Sequence, residues 1–556
     1  MTVRVSAAPS TAFGGILDAS GRPMRPLRPA ASDAAYAAGD TMSQELARWN
    51  PHLGSADSNL LPARDRIAAR VHNMADNNGW ASGTLQRYVD QAIGSDFRFS
   101  WRPDIEALSL SRDWLKKHKR ALESRFRAWS NDPRRYADAA EHNTLSGLMG
   151  LAFRHRFLDG ESLAVAHWRP RSDFAYATAI QVIDPDRLSN PNGRSDEARL
   201  RGGVAQNDFG AATGYHIRCA HPGEYWTGQD AWTWKYLPRR TAHGRSVVLH
   251  HFEKERAAQT RGKSILTPVL EKLKMLDKYE STEMQAALVN SIFAAFIKSP
   301  FDHDMMGDAL SGADSYQEGR LNFHEKSNIN LAGVRLPLLY PGEEVGFTNA
   351  ARPNPTFPEF EKTALRYIAA ATGQSYEQLA QDWSSTNYSS ARAALMEAWK
   401  FLSARRGAFA DGFATPIFAL WMEEDMDLGH LDLPAGTPTF WENPTAWTRG
   451  KWTGAPRGWV DPTKEITASQ MRMDAGMSTL RDECAEQGQD YEEVLEQRRH
   501  EMDLMADLNL PRPGWADAPI MGEDDPADPD DADRAETNIQ AVRRSPVPEI
   551  HYSGDA

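Results

Sequence analysis

The chain has 556 residues, 41% of them hydrophobic and 25% charged, with a net charge of −13. That length exceeds one ordinary domain, and the acidic balance excludes a broad, tight phosphate-binding surface without excluding DNA that passes nearby. Cys219 and Cys484 are the only cysteines, which excludes a disulfide framework and a cysteine-rich zinc site. No signal peptide and no membrane span is expected, because the segment 288–297 is apolar but too short.

Residues 1–59 are rich in Ala, Ser, Pro and Gly and read as an N-terminal arm, either a disordered leader or a strap on a neighbouring subunit. A short helix fits near residues 36–49. A basic amphipathic pattern over 61–74, with Pro62 in its first turn, predicts a helix. A second runs over 80–93 and is closed by Gly94. Residues 97–101 alternate like a strand, and 114–129 and 136–153 predict further helices. Between 157 and 252 the period is two, with strands expected at 162–167, 179–183, 214–218 and 246–250. The fold class is α+β, with an antiparallel sheet.

A long helical pattern occupies 264–297, with Pro268 confined to an early turn. Residues 298–356 form a small insert, with strands expected at 334–340 and 344–348 around Pro341-Gly342. The segment 357–372 places Phe360, Ala364, Leu365, Ile368 and Ala369 at helical spacing and stops at Gly373. Then comes a stretch of amides and hydroxyls, 373–390, carrying Gln374, Gln378, Gln381, Ser384, Ser385 and Asn387. A long helix follows from residue 391. Two helices holding out such a loop suit a surface that touches something polar without gripping it. The return over 391–460 carries Trp441, Trp447, Trp452 and Trp459. Helices are expected over 461–510, and 511–556 reads as a disordered acidic tail.

Chemistry-bearing motifs are few. Gly262-Lys263-Ser264 follows a strand and opens a helix, the setting of a phosphate-binding loop, but Ala257 stands where that loop needs its first glycine. His250-His251-Phe252-Glu253 and Asp302-His303-Asp304 offer metal-ligand types with nothing nearby in sequence to close a site. No nucleophile elbow occurs. No catalytic residue, metal or cofactor is expected. Lys263, Lys272, Lys274 and Lys278 mark either a solvated helix face or a wall that meets a polyanion weakly.

Several stretches, in order, resemble the lambda-type family of bacteriophage portal proteins. They are 64–79, Asp159-Gly-Glu-Ser162, Ile183-Asp-Pro-Asp-Arg-Leu188, Gly214-Tyr-His-Ile217, His250-His-Phe252, Gln259-Thr-Arg-Gly-Lys-Ser264, Tyr388-Ser-Ser-Ala-Arg392 and Asp461-Pro-Thr-Lys-Glu465. The resemblance implies a ring, commonly dodecameric, at one capsid vertex of the virion, assembled in the host cytoplasm, through whose channel double-stranded DNA enters and leaves. It implies a wing (60–261), stem helices (262–297 and 357–372), a clip (298–356), a tunnel loop (373–390), a helix returning to the wing (391–460) and a crown (461–510). The channel would be lined by the tunnel-loop amides and hydroxyls and by Lys272, Lys274, Lys278, Lys362 and Arg366 of the stem. The implied partners are the terminase large subunit, a head-tail connector and the major capsid or scaffold protein, with no membrane. The other reading is a nucleotide-dependent DNA-packaging enzyme that uses Gly262-Lys263-Ser264.

Overall fold

Asn78 both ends one helix and starts the next. Its backbone N–H donates to Met74 O, while its side chain accepts from Ala81 N at 3.1 Å. The two helices are α1 (Ala56–Asn77) and α2 (Gly79–Ala92). They open a computed structural model that describes residues 37–39, 45–46, 48–296, 322, 328–331, 334–337, 356–384, 386–458 and 461–512. The expected strand at 344–348 and the Asp302-His303-Asp304 cluster lie outside these residues. The chain divides into two compact units, 1–455 and 456–556.

In the first unit, β1 (Arg98–Trp101) is followed by α3 (Arg112–Ser130) and α4 (Leu145–Leu158). The helix expected from residue 136 begins at Leu145 instead. The Asp138 carboxylate accepts from Ala140 N, His142 N and Asn143 N and holds a turn, and Thr144 then caps α4. Next come β2 (Ser162–Trp168), β3 (Thr178–Ile183), β4 (Leu200–Arg201), β5 (Val204–Gln206), β6 (Ala212–Arg218), β7 (Trp234–Pro238) and β8 (Val248–His251). They make two antiparallel sheets, β3-β2-β8 and β4-β5-β6-β7, so the expected single sheet is two. Helix α5 (Leu270–Phe296) follows a 3-10 turn at Thr267–Val269 that accommodates Pro268. A hairpin pairs β9 (Asn328–Leu331), which was not expected, with β10 (Val334–Pro337), which falls within the strand expected at 334–340.

Helix α6 (Phe357–Thr372) leads through α7 (Tyr376–Ala380) to α8 (Tyr388–Phe409). One π turn, Ala410–Ala414, joins α8 to α9 (Thr415–Asp427). The extra residue brings Gly412 against His251, where a Cβ would stand 2.2 Å from the ring. Short α10 (Pro444–Thr448) precedes β11 (Gly450–Thr453), which pairs with β1 across most of the chain. The main core lies between these helices. It includes the fully buried Trp101, Trp129, Trp421 and Trp447. A smaller core of Leu163, Val165, Ile183, Val204, Tyr215, Ile217 and Val248 lies among the strands. The buried carboxylates of α9 act as anchors. Glu424 accepts from Ala177 N and Thr178 N, and Asp425 takes a two-pronged bond from Arg125 at 2.9 and 2.8 Å.

The second unit holds α11 (Pro462–Asp474), α12 (Leu480–Glu486) and α13 (Tyr491–Asp507). Asp461 caps α11, and Arg472 pairs with Glu483 of α12 at 2.7 Å. Met471, Met477 and Leu508 remain exposed, and α13 buries no residue.

Candidate functional site

A buried ionic joint precedes helix α5. Glu161, at the start of β2, is fully buried and receives Arg261 on both oxygens, at 2.8 and 3.1 Å from Nε. Arg64 of α1 donates to the same carboxylate at 2.8 Å, and His250 of β8 lies 2.9 Å from it. Arg261 also donates to the carbonyls of Pro185, Leu188 and Gly202, which spends its planar fork. Burial alone would raise the Glu161 pKa, but Arg261, Arg64 and His250 outweigh it and hold the carboxyl well below the usual range. Burial pushes His250 down, so it donates from a neutral ring.

Beside the joint, Asp159 takes His72 and His155 on its two oxygens, each at 2.6 Å. The hydrogen bond to Asp159 raises His72 from 6.5 to about 9, against a smaller opposing effect of burial. The folded protein therefore holds that proton more tightly than the unfolded chain does. The stability it contributes is full below pH 6.5 and is lost as the pH rises through about 9. The melting temperature should fall across this window, and His72→Gln should flatten the fall. A wild-type melting profile with the same slope as that of His72→Gln would contradict this reading.

The turn that resembles a phosphate loop is filled by the chain itself. Gly262 N–H donates to Glu161 Oε2 at 2.9 Å, Lys263 pairs with Glu255 at 2.6 Å, and the buried Ser264 hydroxyl donates to Phe157 O at 3.0 Å. The Gly262 amide, the Lys263 ammonium and the Ser264 hydroxyl, three groups a phosphate loop would offer, are thus engaged within the chain. Gly160 passes so close to Lys263 that a Cβ would meet its backbone at 2.2 Å. Of the neighbouring metal-ligand types, His250 is held by Glu161 and Glu253 pairs with Arg156 at 2.8 Å, whereas the buried His251 Nε2 has no hydrogen-bond partner among the described residues. Among the described residues, Asp184, Asp186 and His221 also approach one another. However, His221 Nδ1 accepts from Gly223 N at 3.0 Å, which leaves the ring proton on the Nε2 that faces the carboxylates. That proton disfavours a metal there.

Above the joint, α5 packs on α6 through Tyr279, Phe357 and Phe360. Helix α6 ends at Gly373, which has φ 72°. A Cβ on Gly373 would lie 2.3 Å from the Phe401 ring of α8. Gly373→Ala should thus cost about 2 kcal/mol or more, from the left-handed backbone and the overlap together. Urea denaturation measures it, and a loss below about 0.5 kcal/mol would show that α8 yields.

The amide-rich stretch is more ordered than its composition suggests. Ser375 and Gln378 form a reciprocal cap that opens α7, and Leu379 is fully buried. Gln374 is buried, with Nε2 3.4 Å from Thr84 O, and Gln378 is buried in its cap. These two side chains face inward within the subunit. Gln381, Ser384 and Asn387 are exposed. Gln381 holds Gln378 O at 2.7 Å, Ser384 donates to Asp382, and Asn387 caps α8. Ser385 lies outside the described residues. The cations of α5 and α6 fall into two groups. Lys272 sits 3.3 Å over the Tyr367 ring, and Lys362 and Arg366 lie 5.5 and 5.6 Å from the Tyr376 ring. Lys274, paired with Asp277, and Lys278 instead line a 930 Å³ groove between α1 and α5 with Arg66 and Arg70. Sequence reasoning did not assign the joint residues Arg64, Glu161, His250 and Arg261 a shared site.

The family profile described as "Phage portal protein, lambda family" matches residues 42–406. The chain belongs to that family of portal proteins. The portal protein of Escherichia phage N15 is 33% identical over 494 residues, covering 87% of this chain and 92% of its own length. Portal protein B of Escherichia phage lambda matches with the same identity and coverage. A chain from the solved neck of an empty GTA particle aligns with 82% of this chain and 96% of its own at 12% identity, with a TM-score of 0.39, too loose to carry a fold assignment. A DNA-packaging channel role fits the portal family, which is structural. Most of the stretches through which the sequence resembles portal proteins meet at the buried joint: α1 gives Arg64 and His72, and the later ones give Asp159, Glu161, Asp186, His250 and Arg261. No described helix is long and apolar enough to cross a membrane.

Proposed function

We propose that copies of this portal protein close into a ring, dodecameric as in the family resemblance, at one capsid vertex. Its axial channel passes double-stranded DNA during packaging and ejection. The segment between α7 and α8 narrows that channel. The observation that carries this reading is its chemistry: no Lys or Arg occurs between Arg366 and Arg392, and its exposed tip offers Gln381, Ser384 and Asn387. Such groups touch phosphates without the counterion release that would make DNA stick. Residues 60–261 and 391–460 serve as the wing, α5 and α6 as the stem, 298–356 as the clip and 461–510 as the crown. The exposed Met471, Met477 and Leu508 of the second unit support a crown whose apolar surface is covered on assembly. The clip would receive the terminase large subunit and later a head-tail connector, with capsid or scaffold protein around the wing.

The conduit works without nucleotide hydrolysis of its own, because the Gly262-Lys263-Ser264 turn is closed by Glu161 and Glu255. Purified assemblies should show background ATPase activity. Hydrolysis that Lys263→Ala abolishes would overturn this part of the reading and favour a packaging enzyme.

A further inference from the structure

The N-terminal arm contains a triplet repeat that lies outside the family match. Residues 22–29 read Arg-Pro-Met-Arg-Pro-Leu-Arg-Pro, so Arg22, Arg25 and Arg28 recur every three residues, as do Pro23, Pro26 and Pro29. Three residues per turn is the period of the polyproline II helix. In that conformation the segment presents one basic edge, one proline edge and one apolar edge carrying Met24 and Leu27. Each proline fixes its own φ, so little backbone freedom is left to lose on docking.

One face of the first unit has matching chemistry. Two adjoining clefts, of 510 and 440 Å³, share Arg245, Glu423, Phe440 and Trp441. Trp168 walls the first, and Trp168 and Trp441 are 56% and 45% exposed. Both indoles are held in place. The Arg245 guanidinium lies 5.1 Å over Trp168, and Trp441 packs so close to Gly244 that a Cβ would come within 3.0 Å. Arg245 is itself neutralised by Glu423. That leaves Asp427 in the first cleft and, in the second, Asp411 together with Arg240; both carboxylates are exposed and neither is in an ion pair among the described residues. An aromatic groove with a free carboxylate in each half is complementary to alternating proline and arginine.

We propose that the Arg-Pro segment 22–29 of this chain docks in the Trp168–Trp441 groove, with prolines against the indoles and arginines toward Asp411 and Asp427. The chain between Pro29 and Trp49 can extend roughly 70 Å. The proposal stands apart from the channel reading.

The test uses the full-length chain with a photo-crosslinking amino acid in place of Leu27, read by peptide mass spectrometry. Crosslinks are expected to the peptides that carry Trp168, Asp427 or Trp441. Asp427→Lys and, separately, Trp441→Ala should each cut their yield at least fivefold, and Arg25→Glu combined with Asp427→Lys should recover part of it. Asp427 is exposed, so its substitution tests the contact without disturbing the core. Crosslinks confined to other surfaces, crosslinks to a different protein, no crosslink at all, or a yield unmoved by both substitutions would each overturn the proposal.

Discussion

Glu161→Gln is expected to destabilise the first unit by about 3–5 kcal/mol, the cost of removing one partner from a buried ion pair. The substitution preserves shape and removes only charge. It leaves Arg64 and Arg261, both almost wholly buried, facing a neutral amide. It also weakens the bond from Gly262 N–H that fixes the turn before α5. Guanidinium denaturation followed by tryptophan fluorescence reports the loss. Because the Glu161 pKa is depressed in the folded protein, its contribution is present above the ordinary glutamate range and is lost as the pH falls through the lower folded value. The gap between wild type and variant should therefore narrow in acid. A cost below about 1 kcal/mol at neutral pH would mean that the joint is not what holds the base of α5.

The other large effect belongs to the channel. Gln381→Lys with Ser384→Lys places two cations on an exposed tip that natively has none. Repeated around a ring, they offer many phosphate contacts at once. Six such contacts alone change DNA affinity on the order of a thousandfold between 50 and 200 mM salt. Assembly should be intact, because neither side chain is buried. Packaging in vitro should stall at low salt and recover as salt rises. A variant that packages at the wild-type rate at every salt concentration would remove residues 381–387 from the DNA path.

These expectations depend on features that differ in how far the sequence reveals them. Helices announced themselves where a cap and a periodic face coincide, as at Asn78, Ser111 and Asp461, whereas the start of α4 at Thr144 was missed because the apolar residues before it belong to the Asp138 turn. The pairing of Arg98–Trp101 with Gly450–Thr453 was not legible, because strand partners leave no local pattern. The burial of Gln374 and Gln378 was hidden for a different reason. Composition marks an amide as polar but does not say whether its partner is water, a neighbouring backbone or DNA. Here Gln378 closes a helix cap and Gln374 turns toward α2. The joint is the reverse case. Its residues stand in recognisable stretches, yet on the chain Arg64, Glu161, His250 and Arg261 are far apart, and only the fold makes them one network.

The central claim is that this chain forms a portal ring whose channel is narrowed by the segment between α7 and α8. Electron cryomicroscopy of the purified assembly tests it most directly. The account predicts closed rings with an axial hole and with Gln381, Ser384 and Asn387 at the narrowest point. A strictly monomeric protein under assembly conditions, or rings with these three residues on the outer wall, would contradict it.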